Sequence, residues 1–476
     1  MSLNSALHRA RGRLRADLFV QEPQQPHPTA KRALIWVAAG AAGIAIQLVR
    51  IWPSDPLGTL WAEDGGVWLT DALNRDFPEI LGTPYNGYLQ TASRLVAEAV
   101  SNLPVQAYPV AMALAGTAIV AGCAYVTWRA SAGPIKDPAV RAALAAMVIL
   151  VPVANAETLG NVTNSIWFLL FACFWILLWV PSSTRSALLA GAIALMAALS
   201  TIGCLFLLPL WGLRVLAIRD RREYLIAGGF IIGVGLQLAV SWGTLATGLG
   251  SHDEVLAAIP AGEPFSTQPY WDWELIPAFA QRVVGGTLAG QPANAFLWEE
   301  LSIPYGVVLA LATLGLLAAA LREPRIRLLV PLTILLAAGL FLITGYRRWG
   351  LGGDALYWPV GESNDSSSRY LITPVLLMAS AISIWVAAMR RRDVESVRSD
   401  TPSGVLPLVV GMGVLAFALA SFAVANSTVR GSLPFSEALA DARERCDSGA
   451  VRVRAPLFNG LANDPLPLEL PCEKLE

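Results

Sequence analysis

The stretch that decides the fold is SALLAGAIALMAALSTIGCLFLLPLWGLRVLA, residues 186–217. A membrane-spanning helix needs about 20 apolar residues. These 32 residues are therefore too many for one span and few for two. The choice between one helix and two helices that turn at STIG, residues 200–203, fixes the side of the membrane on which every later segment lies.

The composition is that of a polytopic membrane protein. Of 476 residues, 55% are hydrophobic and 14% are charged, whereas a soluble domain has about 25% charged residues. No long basic patch with interleaved aromatic residues is present, so nucleic acid is not an expected partner. With residues 186–217 counted twice, eleven apolar runs are candidate spans. They begin near Ala33, Pro104, Pro138, Val162, Ser186, Thr201, Tyr224, Ser302, Arg327, Tyr370 and Gly404. The sequence predicts an all-α protein with about eleven transmembrane helices.

The distribution of basic residues settles the question of residues 186–217. Basic residues prefer the cytoplasmic ends of spans. If the basic N-terminal segment is inside and the chain crosses eleven times, the other basic clusters also lie inside. These are Arg129, Lys136, Arg141, Arg185, Arg214, Arg219, Arg221, Arg222, Arg322, Arg325, Arg327, Arg390, Arg391 and Arg392. A single span over 186–217 would move three of these clusters outside. We therefore predict two short helices, an internal N-terminus and an external C-terminus.

This topology divides the chain into three parts. Residues 1–32 form a cytoplasmic basic tail, 33–427 a transmembrane domain, and 428–476 a short extracytoplasmic tail. The large outer loops are 53–103, 246–300 and 346–369. Cys446 and Cys472 lie in the C-terminal tail, where an oxidising compartment would let them pair, and two free thiols fit the sequence equally well. We expect a multi-pass protein of a bacterial plasma membrane, with its functional site on the extracytoplasmic face.

The first outer loop carries an acidic pair. LWAEDGGVWLTDALNRDF, residues 60–77, places Glu63 and Asp64 at the start of a predicted amphipathic helix. A second amphipathic helix is predicted within YNGYLQTASRLVAEAVSNL, residues 85–103, and we expect both to lie on the membrane surface. A carboxylate at a helix N-terminus is stabilised by the helix dipole. A capping role and a functional role therefore both fit this pair.

Several outward arginines run against the charge bias of the rest of the chain. Guanidinium groups suit phosphate oxygens, although arginine beside a bilayer also snorkels or binds lipid phosphate without specificity. The candidate phosphate ligands are Arg94, Arg347, Arg348 and Arg369. The candidate substrate-binding residues of the same outer segments are Tyr85, Tyr88, Asn161, Asn164 and Tyr370.

Together these features resemble the GT-C superfamily of integral-membrane glycosyltransferases. The features are the acidic pair after the first span, the amphipathic helix after it, the paired spans around ALSTIGCLFLLPL and a late span that opens with RYLITP. They cover most of residues 33–389. The resemblance implies transfer of a sugar, with inversion, from a polyprenyl-phosphate donor in the membrane lipid to an extracytoplasmic glycan, glycolipid or protein. It also implies that Asp64 is the general base.

The same resemblance suggests roles for the other candidates. Glu63 would orient Asp64, bind acceptor hydroxyls, or share a divalent cation, Mg²⁺ or Mn²⁺, with Asp64. Arg369 and Arg348 are the first candidates for the donor phosphate. The alternative function is a lipid or polysaccharide transporter or flippase, which would carry ionisable residues within its spans. The predicted spans contain few, and the sequence shows no internal repeat of the kind many transporters have.

Overall fold

The structure is a computed structural model that describes residues 11–23, 29–247, 275–348, 368–396, 433–457 and 466–475, with five isolated residues between 412 and 422. Most of these residues are helical. The helices are α1 (11–17), α2 (Ala30–Arg50), α3 (Thr70–Asn74), α4 (Phe77–Gly82), α5 (Thr91–Ser101), α6 (Tyr108–Ala130), α7 (Pro138–Leu150), α8 (Ser165–Leu178), α9 (Thr184–Ser200), α10 (Leu208–Ala217), α11 (Arg221–Thr247), α12 (Leu275–Ala278), α13 (Gly286–Arg322), α14 (Leu329–Arg348), α15 (Ile372–Ser396) and α16 (Phe435–Asp447). Two strands, β1 (Arg452–Ala455) and β2 (Leu468–Pro471), pair antiparallel.

Six helices within the described ranges are long and apolar enough to cross a membrane. They are Ala30–Arg50, Val105–Ala130, Arg221–Gly243, Ala293–Arg322, Leu329–Tyr346 and Ser368–Arg392. Four shorter apolar helices are Pro138–Leu150, Ser165–Leu178, Thr184–Ser200 and Ile202–Ala217. The protein is thus mostly helical, with helices at ten of the eleven predicted runs. The eleventh run, from Gly404, lies almost wholly outside the described residues.

The stretch 186–217 forms two helical segments that turn at STIG. Thr201 is extended between α9 and the 3-10 turn Ile202–Leu207, and its hydroxyl accepts a hydrogen bond from the Gly203 N–H at 3.2 Å. At the turn, the Thr91 hydroxyl of α5 donates to the Leu199 carbonyl at 3.1 Å. At the opposite end, Arg222 donates to the Ser182 carbonyl at 2.5 Å. The chain therefore returns after α10 to the side from which α9 begins.

The segments predicted to be cytoplasmic contact one another at one end of the molecule. Arg15 pairs with Glu223, and Arg390 lies 2.9 Å from Asp137. Glu22 accepts hydrogen bonds from the Trp179 indole and from Ser182. Residues 11–23, part of the predicted cytoplasmic basic tail, pack across this basic end, with Leu18 and Phe19 buried.

The segment predicted as a short C-terminal tail contains a small folded module. Helix α16 and the β1–β2 hairpin are joined by a disulfide between Cys446 and Cys472. Apart from this one short hairpin, the described residues are mostly helical, as the all-α prediction expects. Phe435 N–H donates to the Gly58 carbonyl at 2.8 Å, and Glu469 N–H donates to the Thr70 hydroxyl at 3.1 Å.

This module covers the first outer segment, and the two share one apolar core. Trp68 and Leu69 from the outer segment are fully buried with Leu439, Leu468 and Leu470 of the module. Both predicted helices of the outer segment are present, but the first is covered by protein and does not lie open on a membrane surface. The predicted loop 246–300 is also partly helical, since α12, a π-helical turn over Phe279–Gly285 and the start of α13 lie within it.

Candidate functional site

The acidic pair lies where the first outer segment enters a short π-helix, Asp64–Leu69. Two glycines let the C-terminal module approach this turn. A β-carbon on Gly66 would lie 2.4 Å from the Leu466 carbonyl oxygen, and one on Gly65 would lie 2.6 Å from a methyl of Leu457. Close packing of the C-terminal module therefore requires glycine at both positions after the acidic pair. The turn itself is π-helical, and such turns are rare and are frequently found at functional sites.

Asp64 holds the turn to the loop that precedes α8. Its side chain is buried, and its two oxygens accept hydrogen bonds from Val162 N–H (2.9 Å), Thr163 N–H (3.0 Å) and the Thr163 hydroxyl (2.6 Å). The Trp68 indole donates to the same hydroxyl at 2.8 Å. A general base must reach the hydroxyl of a bound substrate. These donors occupy both Asp64 oxygens, and the assignment of Asp64 as the base stays a prediction.

Asn161 and Asn164 shape the same loop from within. The side-chain amides of both donate to the Glu157 carbonyl, at 2.6 and 2.7 Å, and the Asn161 side-chain oxygen accepts from the Asn164 N–H at 2.8 Å. Both residues are buried. Their predicted contact with substrate is not what the geometry supports, because these amide groups are used to fold the loop.

Arg369 lies between two carboxylates at the start of the last described span. Its Nη1 is 3.9 Å from Glu63 Oε1, and its Nε is 3.5 Å from Glu157 Oε1. The Ser368 hydroxyl donates to Glu157 at 2.9 Å, which holds that carboxylate in position. The structure thus brings the acidic pair and the RYLITP segment together, through Glu63 rather than Asp64. Sequence reasoning did not select Glu157, which is a single acid more than 200 residues before its arginine.

Several polar atoms of these segments are shielded from solvent and form no hydrogen bond with any described residue. They include Glu63 Oε2, Arg369 Nε, the Trp61 indole nitrogen and Gln90 Oε1. A buried polar group without a partner costs about 1–3 kcal/mol. The side chains of Glu63 and Arg369 are nevertheless 15% and 25% exposed. A polar ligand that enters here could supply partners to both.

Tyr85 borders the two charges. It starts a tight turn in which its N–H donates to the Tyr88 carbonyl at 2.9 Å, and its ring packs edge-on against Trp68. Burial raises the pKa of the Tyr85 phenol, and the nearby Glu63 carboxylate raises it further. Tyr85 is therefore a neutral hydroxyl beside the Glu63–Arg369 pair.

The other predicted aromatic residues flank the same site. The Gln90 amide donates to the Tyr88 hydroxyl at 3.3 Å. The Tyr370 ring lies below the Arg369 guanidinium, 5.1 Å from its central carbon, and packs edge-on against Trp167. Tyr370 thus supports the arginine from beneath.

Arg94 is a structural residue and is not placed as the predicted phosphate ligand. Its guanidinium is buried, lies 2.6 Å from Asp71 and stacks over Trp68. Burial lowers the pKa of Arg94, and the bond to Asp71 partly restores it. The side chains of Arg347 and Arg348 lie outside the described part of the chain, so their roles stay predictions.

The divalent cation suggested for the acidic pair stays a prediction. Within the described residues, no group of three or more His, Cys, Asp or Glu side chains is arranged to hold a metal. The Asp64 oxygens face N–H and O–H donors, and Glu63 faces a guanidinium. These neighbours present hydrogens and positive charge to the two carboxylates.

An apolar groove runs along α15 below Arg369. Its volume is about 220 Å³, and it lies between α13, α15 and the turn that precedes α13. It is lined by Val284, Leu288, Ala312, Thr313, Gly315, Leu316, Met378, Ile382 and Trp385. Met378 is nine residues beyond Arg369, about 13 Å along a helix. The groove thus begins within a short distance of the charged site.

Comparison of the sequence with protein-family models and with curated proteins found no match.

Proposed function

We propose that the protein is a membrane glycosyltransferase that moves a sugar from a polyprenyl-phosphate donor to a hydroxyl group of an extracytoplasmic glycan, glycolipid or protein. One observation carries the proposal: Glu63 and Arg369 meet in one partly open site at the end of a span, above an apolar groove. A carboxylate can accept a proton, a guanidinium can bind a phosphate, and an apolar groove can hold a lipid chain.

In the proposed reaction, Glu63 takes the proton of the acceptor hydroxyl. The oxygen forms a bond to the anomeric carbon while the bond from that carbon to the phosphate oxygen breaks. The electron pair leaves with the polyprenyl phosphate, and a single displacement inverts the anomeric centre. The leaving phosphate gains negative charge, and Arg369 stabilises that charge as it develops.

The surroundings of the pair fit these roles. A guanidinium has five N–H donors, more than the two neighbouring carboxylates require. Arg369 can therefore also donate hydrogen bonds to phosphate oxygens. Glu157, fixed by Ser368, orients the arginine. Tyr85 offers a neutral hydroxyl to a sugar, since the pKa of its phenol is raised.

Two observations support the proposed orientation, with the site outside and the N-terminus inside. The module that covers the site-bearing turn contains the Cys446–Cys472 disulfide, which is typical of an oxidising compartment. The basic clusters gather at the other end, as the positive-inside rule expects of a cytoplasmic face. Eleven spans in a bacterial plasma membrane remain part of this proposal.

The test is turnover of purified protein with a panel of polyprenyl-phosphate sugars and soluble or lipid acceptors. Glu63→Gln should lower kcat by about 10²- to 10⁴-fold, the contribution of a positioned general base. The matched control is Glu98→Gln on α5, which removes a half-buried carboxylate of the same outer segment. Arg369→Gln should raise the KM for the donor.

Unchanged turnover in Glu63→Gln would refute the assignment of the base. If the wild-type protein transfers no sugar but carries labelled donor across a vesicle membrane, the transporter alternative would replace the enzyme.

A further inference from the structure

At the end of the molecule opposite to the Glu63–Arg369 site, Arg141 is buried without a full set of partners. It lies in the first turn of α7, is 9% exposed, and its guanidinium stacks 4.4 Å over the ring of Trp128. Its Nε and Nη1 donate no hydrogen bond to any residue that the structure describes. A buried cation is costly unless an anion or acceptor faces it. Arg141 therefore has capacity for a ligand.

Other cations surround this guanidinium. Arg129, next to Trp128, has a shielded Nε with no acceptor among the described residues. Lys136 precedes Arg141 by five residues, and its ammonium donates to the Gln21 carbonyl at 3.4 Å. Burial lowers the pKa of Lys136, and the positive charges of Arg391 and Arg141 lower it further. Four positive side chains thus share one small region.

Two acidic side chains among the described residues face this region, and both also have partners outside it. Asp137 lies 2.9 Å from Arg390 and also caps α7 by accepting from Ala139 N–H. Glu22 accepts from the Trp179 indole and from Ser182, and its contact with Arg129 is 3.5 Å. The region therefore keeps an excess of positive charge that these carboxylates do not neutralise.

The position of the cluster suggests where its anion comes from. Arg390, which contacts Asp137, follows Arg369 by 21 residues in the candidate span Ser368–Arg392, about 30 Å at 1.5 Å per residue. This is the thickness of the hydrocarbon core of a bilayer. Trp36, which packs on Trp128, is 37% exposed on the outside of the helices. An exposed aromatic residue beside arginines at this depth is typical of a membrane–water interface.

We propose that Arg141, Arg129 and Lys136 form a binding site for the phosphate of an anionic phospholipid in the leaflet opposite to the Glu63–Arg369 site. The guanidinium of Arg141 donates from Nε and Nη1 to phosphate oxygens, and Trp128 holds the guanidinium plane from its other side. The acyl chains lie along the outward face that carries Trp36. This site is separate from the proposed sugar transfer and does not depend on it.

The experiment counts lipids that stay bound to the detergent-purified full-length chain by native mass spectrometry, with phosphatidylglycerol and phosphatidylcholine as the two probes. Wild type should retain about one phosphatidylglycerol in preference to phosphatidylcholine. Arg141→Gln should weaken that retention about tenfold or more, the worth of a charge-assisted hydrogen bond. Arg141→Lys, which keeps the charge, should retain part of it and covers the case in which Arg141→Gln fails to fold.

Arg185→Gln is the matched control, because it removes an exposed arginine from the same basic end. Equal losses in Arg141→Gln and Arg185→Gln would show a general charge effect and overturn the proposal. Unaltered retention in Arg141→Gln would overturn it as well. Inorganic phosphate at millimolar concentration is the second arm. If it displaces the lipid fully, the site binds free phosphate and the lipid assignment is wrong.

Discussion

Replacement of Asp64 by asparagine distinguishes two hypotheses, in which either Asp64 or Glu63 is the general base. The Asp64 carboxylate accepts three hydrogen bonds in a buried position, two from the backbone N–H groups of residues 162 and 163 and one from the Thr163 hydroxyl. Asparagine has one acceptor oxygen, and its NH₂ group would point at an N–H donor. At least one charge-assisted bond is therefore lost, at about 1.5–3 kcal/mol, and a buried N–H is left without an acceptor.

The expected cost is between about 2 and 5 kcal/mol of unfolding free energy. At about 2.1 cal/mol/K of unfolding entropy per residue, a chain of 476 residues loses about 1 °C in Tm for each kcal/mol. Asp64→Asn should thus lower Tm by about 2–5 °C. The assay is thermal unfolding of the detergent-purified protein, followed by intrinsic fluorescence at a fixed scan rate, because unfolding of large proteins is often irreversible.

The control is Asp76→Asn in the same outer segment. Asp76 is exposed and makes no side-chain cap bond to α4, so its replacement should stay within about 0.5 kcal/mol of wild type. Glu63→Gln should behave like this control in stability while it loses turnover. Wild-type stability in Asp64→Asn together with lost turnover would refute the reasoning and restore Asp64 as the base.

Three further predictions concern the outer face. Gly66→Ala would place a β-carbon 2.4 Å from the Leu466 carbonyl oxygen, so limited proteolysis should cut the C-terminal module faster than in wild type, and an unchanged cleavage rate would contradict the contact. The double variant Cys446→Ser/Cys472→Ser removes a cross-link over a sequence separation of 26 and should lose about 3 kcal/mol, with a Tm that no longer responds to reductant. Burial raises the pKa of Tyr85, so the difference in phenolate absorbance between wild type and Tyr85→Phe should appear at a higher pH than for an exposed tyrosine. A difference that titrates at the pH of an exposed tyrosine would show that Tyr85 is accessible.

The helical framework was largely predictable because it depends on local composition. Ten of the eleven apolar runs are helices, and the turn at STIG followed from the charges on either side of it. Thr201 and Gly203 supply the local reason, since the threonine hydroxyl caps the new helical turn. Length, hydropathy and charge contain this information without knowledge of distant contacts.

The sequence predicted which segments meet at the candidate site, but not which side chains contact each other there. The meeting of the acidic pair with Arg369 was expected, but the choice between Glu63 and Asp64 was not. The turn after Glu63 is π-helical, with i→i+5 hydrogen bonds, so a helical wheel of 3.6 residues misplaces its side chains. The pairing of Glu157 with Arg369 and the cover over Gly66 join residues that are 212 and 400 positions apart. The hydrophobic periodicity of a sequence does not predict contacts between residues so far apart.

The cover over the acidic turn also constrains biogenesis. The nascent chain releases residues 60–77 early, yet their neighbours at 457 and 466 are translated only after every described span. Until then, the apolar cluster of Trp68 and Leu69 lacks the residues that the C-terminal module contributes. The catalytic pocket proposed here is consequently the last part of the protein to mature. A ribosome that stalls before residue 433 would leave a membrane-inserted chain whose pocket is unfinished.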